Sequence, residues 1–242
     1  MEDLINIKKP IDTTNFTFII PSVSVGNVGQ LTVDLLIASY DFEKYATIWD
    51  PAIIPSVGAD PFTRDSTEVC TACELYVNEQ LKIVAMQLRS SIEYKLALKF
   101  FNRLKQCIVA LKFKEVVILT SSFAYELHNI SSSHFRYITN HSNVEEILKN
   151  LNVTPMEAAA GGRYIIYGSG FATKLYELFN DSLKTTVLVK YCSEGDNRPD
   201  ALQMLNILNG IIESLSNLSE KNVKFPFSWQ FVFGNPPPIG IY

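Results

Sequence analysis

Sixteen residues near the start of the chain, Phe16 to Leu31 (FTFIIPSVSVGNVGQL), restrict the fold more than any other stretch. Phe16 to Ile20 is rich in β-branched and aromatic types, which favour a strand, and Pro21 ends the run. A loop with glycines at Gly26 and Gly29 then opens into the apolar run Leu31 to Ala38. A strand, a glycine turn and a helix in that order seed an α/β domain, and such a turn lies where α/β proteins place ligands or partners. Two later runs, Glu115 to Thr120 (EVVILT) and Thr185 to Tyr191 (TTVLVKY), have the short continuous apolar character of strands covered on both faces. The first of them suits a central parallel strand.

The spacing of the turn decides what chemistry it can do. A dinucleotide fingerprint needs G-x-G-x-x-G and a phosphate loop needs G-x-x-x-x-G-K-S/T. Gly26-Asn27-Val28-Gly29-Gln30 supplies neither, having no lysine and no third glycine at the required place. Close strand–helix packing or unusual φ/ψ at Gly26 and Gly29 is one reading. Phosphate or nucleoside binding by the free N–H groups of the following helix, with Glu194 and Asp196 assisting, is the other.

Bulk properties narrow the choices. The 242 residues fit one domain, and 47% hydrophobic with 19% charged residues argues against long disorder. A net charge of −4 implies no basic surface for nucleic acid or anionic lipid. No apolar run approaches the ~18 to 20 residues that span a bilayer. The first residues, MEDLINIKKP, read as neither signal nor transit peptide, so a cytoplasmic and nuclear protein without nucleic-acid or membrane partners is expected. Cys70, Cys73, Cys107 and Cys192 should then be free thiols. Cys70 and Cys73 form a C-x-x-C, but a zinc site needs a second pair and a redox motif needs to open a helix, and neither context is present.

Along the chain, Tyr45 to Trp49 and Ile53 to Val57 read as short strands broken by Pro51 and Pro55, followed by a polar loop from Gly58 to Thr67. Ala72 to Val77 and Lys82 to Leu88 make a hairpin through Asn78 and Glu79. Ile92, Leu96, Phe100, Leu104, Ile108 and Leu111 recur at helical spacing, with Lys95, Lys99, Arg103, Lys105 and Lys112 off the stripe, as a solvated face or a partner surface. Ser121 to Asn143 is polar and reads as a surface loop; its histidines, His128, His134 and His141, match no metal-binding spacing. Asn143 to Leu151 predicts a short helix and Arg163 to Tyr167 a strand. Gly168-Ser169-Gly170 is a tight turn before a helix carrying Phe171, Leu175, Leu178 and Phe179, without the spacing of a nucleophile elbow.

Glu194-Gly195-Asp196-Asn197-Arg198-Pro199-Asp200 precedes a helix with Leu202, Leu205, Leu208, Ile212 and Leu215. Asn197 suits the cap, and Pro199 and Asp200 suit the first turn. The acids of this loop could also hold a cation. From Phe225 to Tyr242 there is no charge, and Phe225, Phe227, Trp229, Phe231 and Phe233 alternate, which predicts an extended segment with five rings on one face. Pro236 to Pro238 form a stiff spacer. Beyond it, Ile241 and Tyr242 end at a free carboxylate, either as a frayed terminus or as an anchor for a pocket with a cation or backbone donors. The expected division is a domain over 1–234 and a proline-rich docking tail over 235–242.

Five blocks carry a family resemblance: Pro21 to Leu31, Ala85-Met86-Gln87-Leu88-Arg89-Ser90, Val117 to Ser122 (VILTSS), Ser193 to Leu202 (SEGDNRPDAL) and Ser228 to Pro238 (SWQFVFGNPPP). In this order they resemble the proteasome assembly chaperone 2 family over nearly the whole chain, with a poor match from Ser121 to Gly162. The resemblance implies a non-enzymatic chaperone without a cofactor that pairs with proteasome assembly chaperone 1. Such a heterodimer sits on the outer face of the α-subunit ring of the nascent 20S core, promotes α-ring assembly and blocks premature association. Gly26, Asn27, Gly29, Gln30, Glu194, Gly195, Asp196, Asn197, Pro199, Asp200 and Trp229 are then signature positions of scaffold or interface. Tails in the family end in a hydrophobic residue, tyrosine and one further residue, inserted between α subunits; here Ile241 and Tyr242 lack the last residue. Pattern and resemblance together give the expected fold, an α/β three-layer sandwich with a central mixed, largely parallel sheet flanked by helices.

Overall fold

The structure, a computed structural model, describes residues 4–127, 133–215 and 222–231. In chain order the first elements are β1 (Ile5–Ile7), β2 (Thr17–Pro21), α1 (Val28–Ser39) and β3 (Glu43–Ile48). Next come β4 (Val57–Ala59), β5 (Val69–Thr71), β6 (Cys73–Asn78), β7 (Ile83–Leu88), α2 (Tyr94–Ala110) and β8 (Glu115–Phe123). The rest are β9 (Phe135–Thr139), α3 (Ser142–Asn150), β10 (Thr154–Pro155), α4 (Ala172–Phe179), β11 (Lys184–Cys192) and α5 (Arg198–Ile211).

Among the described residues, nine strands form one sheet in the order β1-β3-β6-β7-β2-β8-β11-β9-β10, and β4 pairs with β5 apart from it. The centre is parallel: β2 pairs with β7 and β8, and β8 with β11. Antiparallel strands flank it, β6 on β7 and β9 on β11, so the sheet is mixed as expected. The strands foreseen at the centre are the ones with unbroken apolar runs, and β2 is buried at all five positions.

Side chains alternate across this sheet and divide the core. Phe18, Ile20, Val116 and Ile118 face α2 and α4, where Phe100, Leu104, Leu175 and Phe179 cover them. Ile19, Val117 and Leu119 face the other way, under Val33 and Leu36 of α1, Leu148 of α3, and Leu205 and Leu208 of α5. Helices on both faces make the three layers. On α2 the buried stripe is Ala97, Phe100, Phe101, Leu104 and Ile108, whereas Leu96 is 38% exposed. Phe100, Leu104 and Ile108 are thus buried as expected, and Ala97 and Phe101 join the seam in place of Leu96.

Four expectations are corrected. Ile53 to Val57 is not a strand; only Ile53 bridges, to Ile92, and the strand begins at Val57. The stretch from Ser121 is not one loop, since β8 runs on to Phe123 and Phe135 to Thr139 adds β9 beside β11. Arg163 to Tyr167 alternates like a strand but pairs with none: Tyr164 and Ile166 turn into the core while Ile165 and Tyr167 face solvent. The segment lies over α4, where no strand edge is offered, and Tyr164 packs edge-on against Tyr176 at 5.8 Å. Finally, Phe227 to Phe231 is a 3-10 turn rather than an extended segment. Phe225 is exposed and Trp229 buried, so the alternating aromatics do not share a face.

Both ends of the sheet are short. β1 has three residues at one edge, and at the other β10 has two, the second being Pro155.

Candidate functional site

Four of the five blocks that carry the resemblance meet beyond the C-terminal ends of the parallel strands β2, β7, β8 and β11. Hydroxyl side chains tie the turns there together. Ser22 Oγ donates to Ser169 O at 2.8 Å and accepts the Phe171 N–H at 2.9 Å. Thr120 Oγ1 donates to the same Ser169 carbonyl at 2.9 Å, and Ser122 Oγ to Tyr167 O at 2.8 Å. Ser24 and Ser121 share a hydrogen bond of 2.8 Å, and Ser121 also donates to Val25 O. A neutral hydrogen bond contributes only about 1 kcal/mol net, but leaving one of these buried groups unpaired would cost more. Geometry here is held by saturation.

Glycines make the approach possible. Gly26 has φ 63°, and Asn27 behind it has φ 52°, so the chain enters α1 through two left-handed residues. The Asn197 side chain occupies the place of a Gly26 side chain: a Cβ on Gly26 would lie 2.9 Å from Asn197 Nδ2 and closer still to its Oδ1. Asn197 Nδ2 donates to Ser193 O at 2.8 Å and to Asp200 Oδ2 at 2.9 Å, while Oδ1 is buried without a protein donor. Asn197 therefore stands at the start of α5, but its side chain folds back rather than capping the helix as expected. Gly29 brings α1 onto β8, since a Cβ there would sit 2.6 Å from Leu119 O. Asn27 Oδ1 accepts from Gln30 Nε2 at 3.4 Å, and Gln30 O accepts from Gln87 Nε2 at 3.0 Å.

The acids of the 194–200 loop do not converge. Asp196 is held by Arg198 at 2.6 Å on the surface, and Glu194, Gly195 and Pro199 are exposed. Asp200 turns inward to Asn197 and to the buried Lys190, 3.4 Å away, whose Nζ also donates to Gln203 at 2.8 Å and lies over the Phe135 ring. Among the described residues no three His, Cys, Asp or Glu side chains gather as a metal site. The C-x-x-C divides between two sheets: Cys70 on β5 donates to Ala59 O, and Cys73 lies in the main core, where burial pushes its thiol pKa far up. No described helix is long and apolar enough to cross a membrane.

One feature, a cleft, had no motif in the sequence. A cleft of about 700 Å³ opens between the end of α1, β3, β5 and the C-terminal segment, lined by Phe42, Tyr76 and Phe225 among others. Its lysines are each already paired, Lys8 with Glu68, Lys44 with Glu74 and Lys224 with Asp41, so it offers no free cation. Trp229, a signature residue, is buried beside α1 and α5 and fastens the C-terminal segment, helped by Ser228 N–H to Pro61 O at 3.0 Å and Ser39 Oγ to Lys224 O at 3.3 Å. Trp229 is thus on the layer of α1, away from Gly26 and Asn197 in sequence but on the same face. Ile241 and Tyr242 lie outside the described residues.

Comparison with known proteins gives these features a context. The model of the PAC2 family matches residues 18–222. The chain is 33% identical over 255 residues to Proteasome assembly chaperone 2 of Homo sapiens, covering 96% of each chain. It is 31% identical over 249 residues to the protein of that name from Xenopus tropicalis, covering 95% of each. Among solved structures it is similar to Pyrococcus furiosus PbaA, described as an archaeal homolog of proteasome-assembly chaperone, with TM-score 0.69, 16% identity, and 90% of this chain and 89% of that one covered. Pyrococcus furiosus PbaB, described as an archaeal proteasome activator, gives TM-score 0.65 at 13% identity over 90% and 91%. At such identities the two archaeal structures speak to the fold, and the sequence relatives to the family. With that fold, and with the family's span running from β2 through α5, the chain belongs to the PAC2 family of proteasome assembly chaperones.

Proposed function

We propose that the chain is one subunit of a heterodimeric chaperone, paired with proteasome assembly chaperone 1. The pair binds the outer face of the 20S α ring, promotes ring assembly and blocks premature association. The observation that carries this reading is the match along 96% of both chains to a protein named Proteasome assembly chaperone 2. The work is done by surface complementarity, without catalysis or cofactor, in the cytoplasm and nucleus. The filled glycine turn supports that view: Asn197 takes the space beside Gly26, and the nearby hydroxyls are spent on backbone carbonyls, so a phosphate or nucleoside would have to displace protein groups.

Residues 235–242 act as the docking tail in this reading, with Ile241 and Tyr242 as the anchor. Affinity purification of the tagged chain with mass spectrometry tests the pairing: proteasome assembly chaperone 1 and α subunits are expected, and their absence overturns it. Removing Ile241 and Tyr242 is expected to weaken retention on isolated α rings; unchanged retention removes the tail from the mechanism.

A further inference from the structure

Resting on the pairing reading above, we propose that the aromatic edge around Tyr94, Tyr125 and Tyr167 is the surface on which the related partner chaperone packs. Tyr94 is 81% exposed and stacks on Phe171 at 6.1 Å, and Leu98, one turn further along α2, is 64% exposed. Ile165 and Tyr167 are 58% and 61% exposed on the outward side of their alternating segment, and Tyr125, 73% exposed, stacks on Phe123 at 4.9 Å. Phe123 in turn packs where Gly168 leaves room, which joins the two halves of the strip. Ile54 continues it, being 51% exposed and held by its N–H to Ser91 O at 3.1 Å.

Three properties fit a folded protein partner. Area is the first: at about 200 Å² per large side chain these residues expose roughly 700 Å², above the usual largest patch of a monomer and close to one side of a standard interface. Order is the second. The hydroxyl bonds to the Ser169 and Tyr167 carbonyls, and the positive φ at Gly168 and Gly170, fix the 164–171 segment, so little entropy is lost on binding. Composition is the third, since Tyr164 to Thr173 carries no charge and three of the six exposed side chains, Tyr94, Tyr125 and Tyr167, are tyrosines, a type enriched at interfaces. Lys95 and Lys99 flank the strip on α2 as exposed residues, so the matching face is apolar with carboxylates at its rim.

The test uses the full chain co-expressed with proteasome assembly chaperone 1, with Tyr94→Asp, Tyr167→Asp, the double variant, and Ile147→Asp on α3 as a control from the other layer. Partner affinity, melting temperature and sedimentation of the chain alone are read. Each edge variant is expected to weaken partner binding at least about tenfold, and the double about a hundredfold, as for interface hot spots. Melting should not change, because Tyr94 heads α2, where an aspartate is favourable. Ile147→Asp should bind like the wild type. Wild-type binding by both edge variants overturns the assignment, as does release of the partner by Ile147→Asp alone. Loss of self-association without loss of partner binding overturns it in favour of a second copy. If Tyr167→Asp lowers the melting temperature, Tyr94→Asp decides. Failure of the wild-type chain to bind the partner sinks the pairing reading and this proposal together, whereas wild-type pairing that ignores the edge sinks only the surface.

Discussion

Asn197 fills the volume that a side chain on Gly26 would need, coupling the first turn of the chain to the loop before its last helix. Gly26→Ala meets two penalties, a left-handed φ of 63° and contact with a buried amide. A loss of about 2 to 4 kcal/mol is expected from strain and overpacking together. Asn197→Ala alone removes two hydrogen bonds and should cost about 1 to 3 kcal/mol. In the double variant the contact vanishes, so urea unfolding should show a coupling of at least about 1 kcal/mol. Strictly additive losses would mean that the two turns are independent.

Glu74 is a second test of the interior. Its carboxylate, almost fully buried, accepts from Tyr76 Oη at 2.7 Å and from the Thr71 N–H at 2.8 Å, and meets Lys44 Nζ at 2.5 Å. Removing one partner of a buried pair strands the other, so Glu74→Ala should lose about 3 to 5 kcal/mol. Glu74→Gln, which keeps acceptor and shape, should lose less. Calorimetric melting checks the ranking; a harmless Glu74→Ala would show that Lys44 reaches water unaided.

Acid should weaken the fold through His141. Its pKa is lowered from 6.5 by burial first and by Lys184, with Lys114 acting the same way and Glu115 opposing them from 3.8 Å. The unfolded chain therefore takes up this proton before the folded one does. The contribution is full above pH 6.5 and is lost as pH falls through 6.5 towards the folded value. Urea midpoints from pH 8 to 5 should decline, and His141→Gln should flatten the decline. An unchanged slope in that variant assigns the effect elsewhere.

Thiol reactivity should separate the cysteines. Cys70, Cys73 and Cys192 are buried, and burial pushes the Cys192 thiol up to about 11, while Cys107 is partly exposed on α2. A thiolate-specific reagent at pH 8 should modify Cys107 first, and more slowly than a free thiol because burial raises its pKa as well. The other three should react only on unfolding. Rapid modification of Cys70 and Cys73 together would reopen the redox reading of the C-x-x-C.

The central sheet was legible because β2, β8 and β11 are unbroken apolar runs, and burial on both faces permits nothing else. β9 was hidden by Arg136, its second residue, and by the histidine and asparagine that flank the strand; the guanidinium turns back to Ser133 O at 2.6 Å, a local contact that no pattern announces. The aromatic alternation after Phe225 misled because Pro226 and the turn bond from Trp229 N–H to Pro226 O, 3.0 Å, bend the chain before a strand can form. At the candidate site, Gly26 and Asn197 were each singled out, yet their contact joins residues far apart in sequence. Tyr94 and Tyr167 were invisible as surface features, since periodicity tells which residues share a side but not which side the sheet covers.

The two ends of the sheet have a consequence for assembly. A long open border invites another chain to add a strand, and the main-chain bonds of such a seam are indifferent to side-chain identity. Here one border is three residues long and the other ends on Pro155, which has no N–H to give. Company is therefore chosen by side-chain fit rather than by backbone pairing at either border.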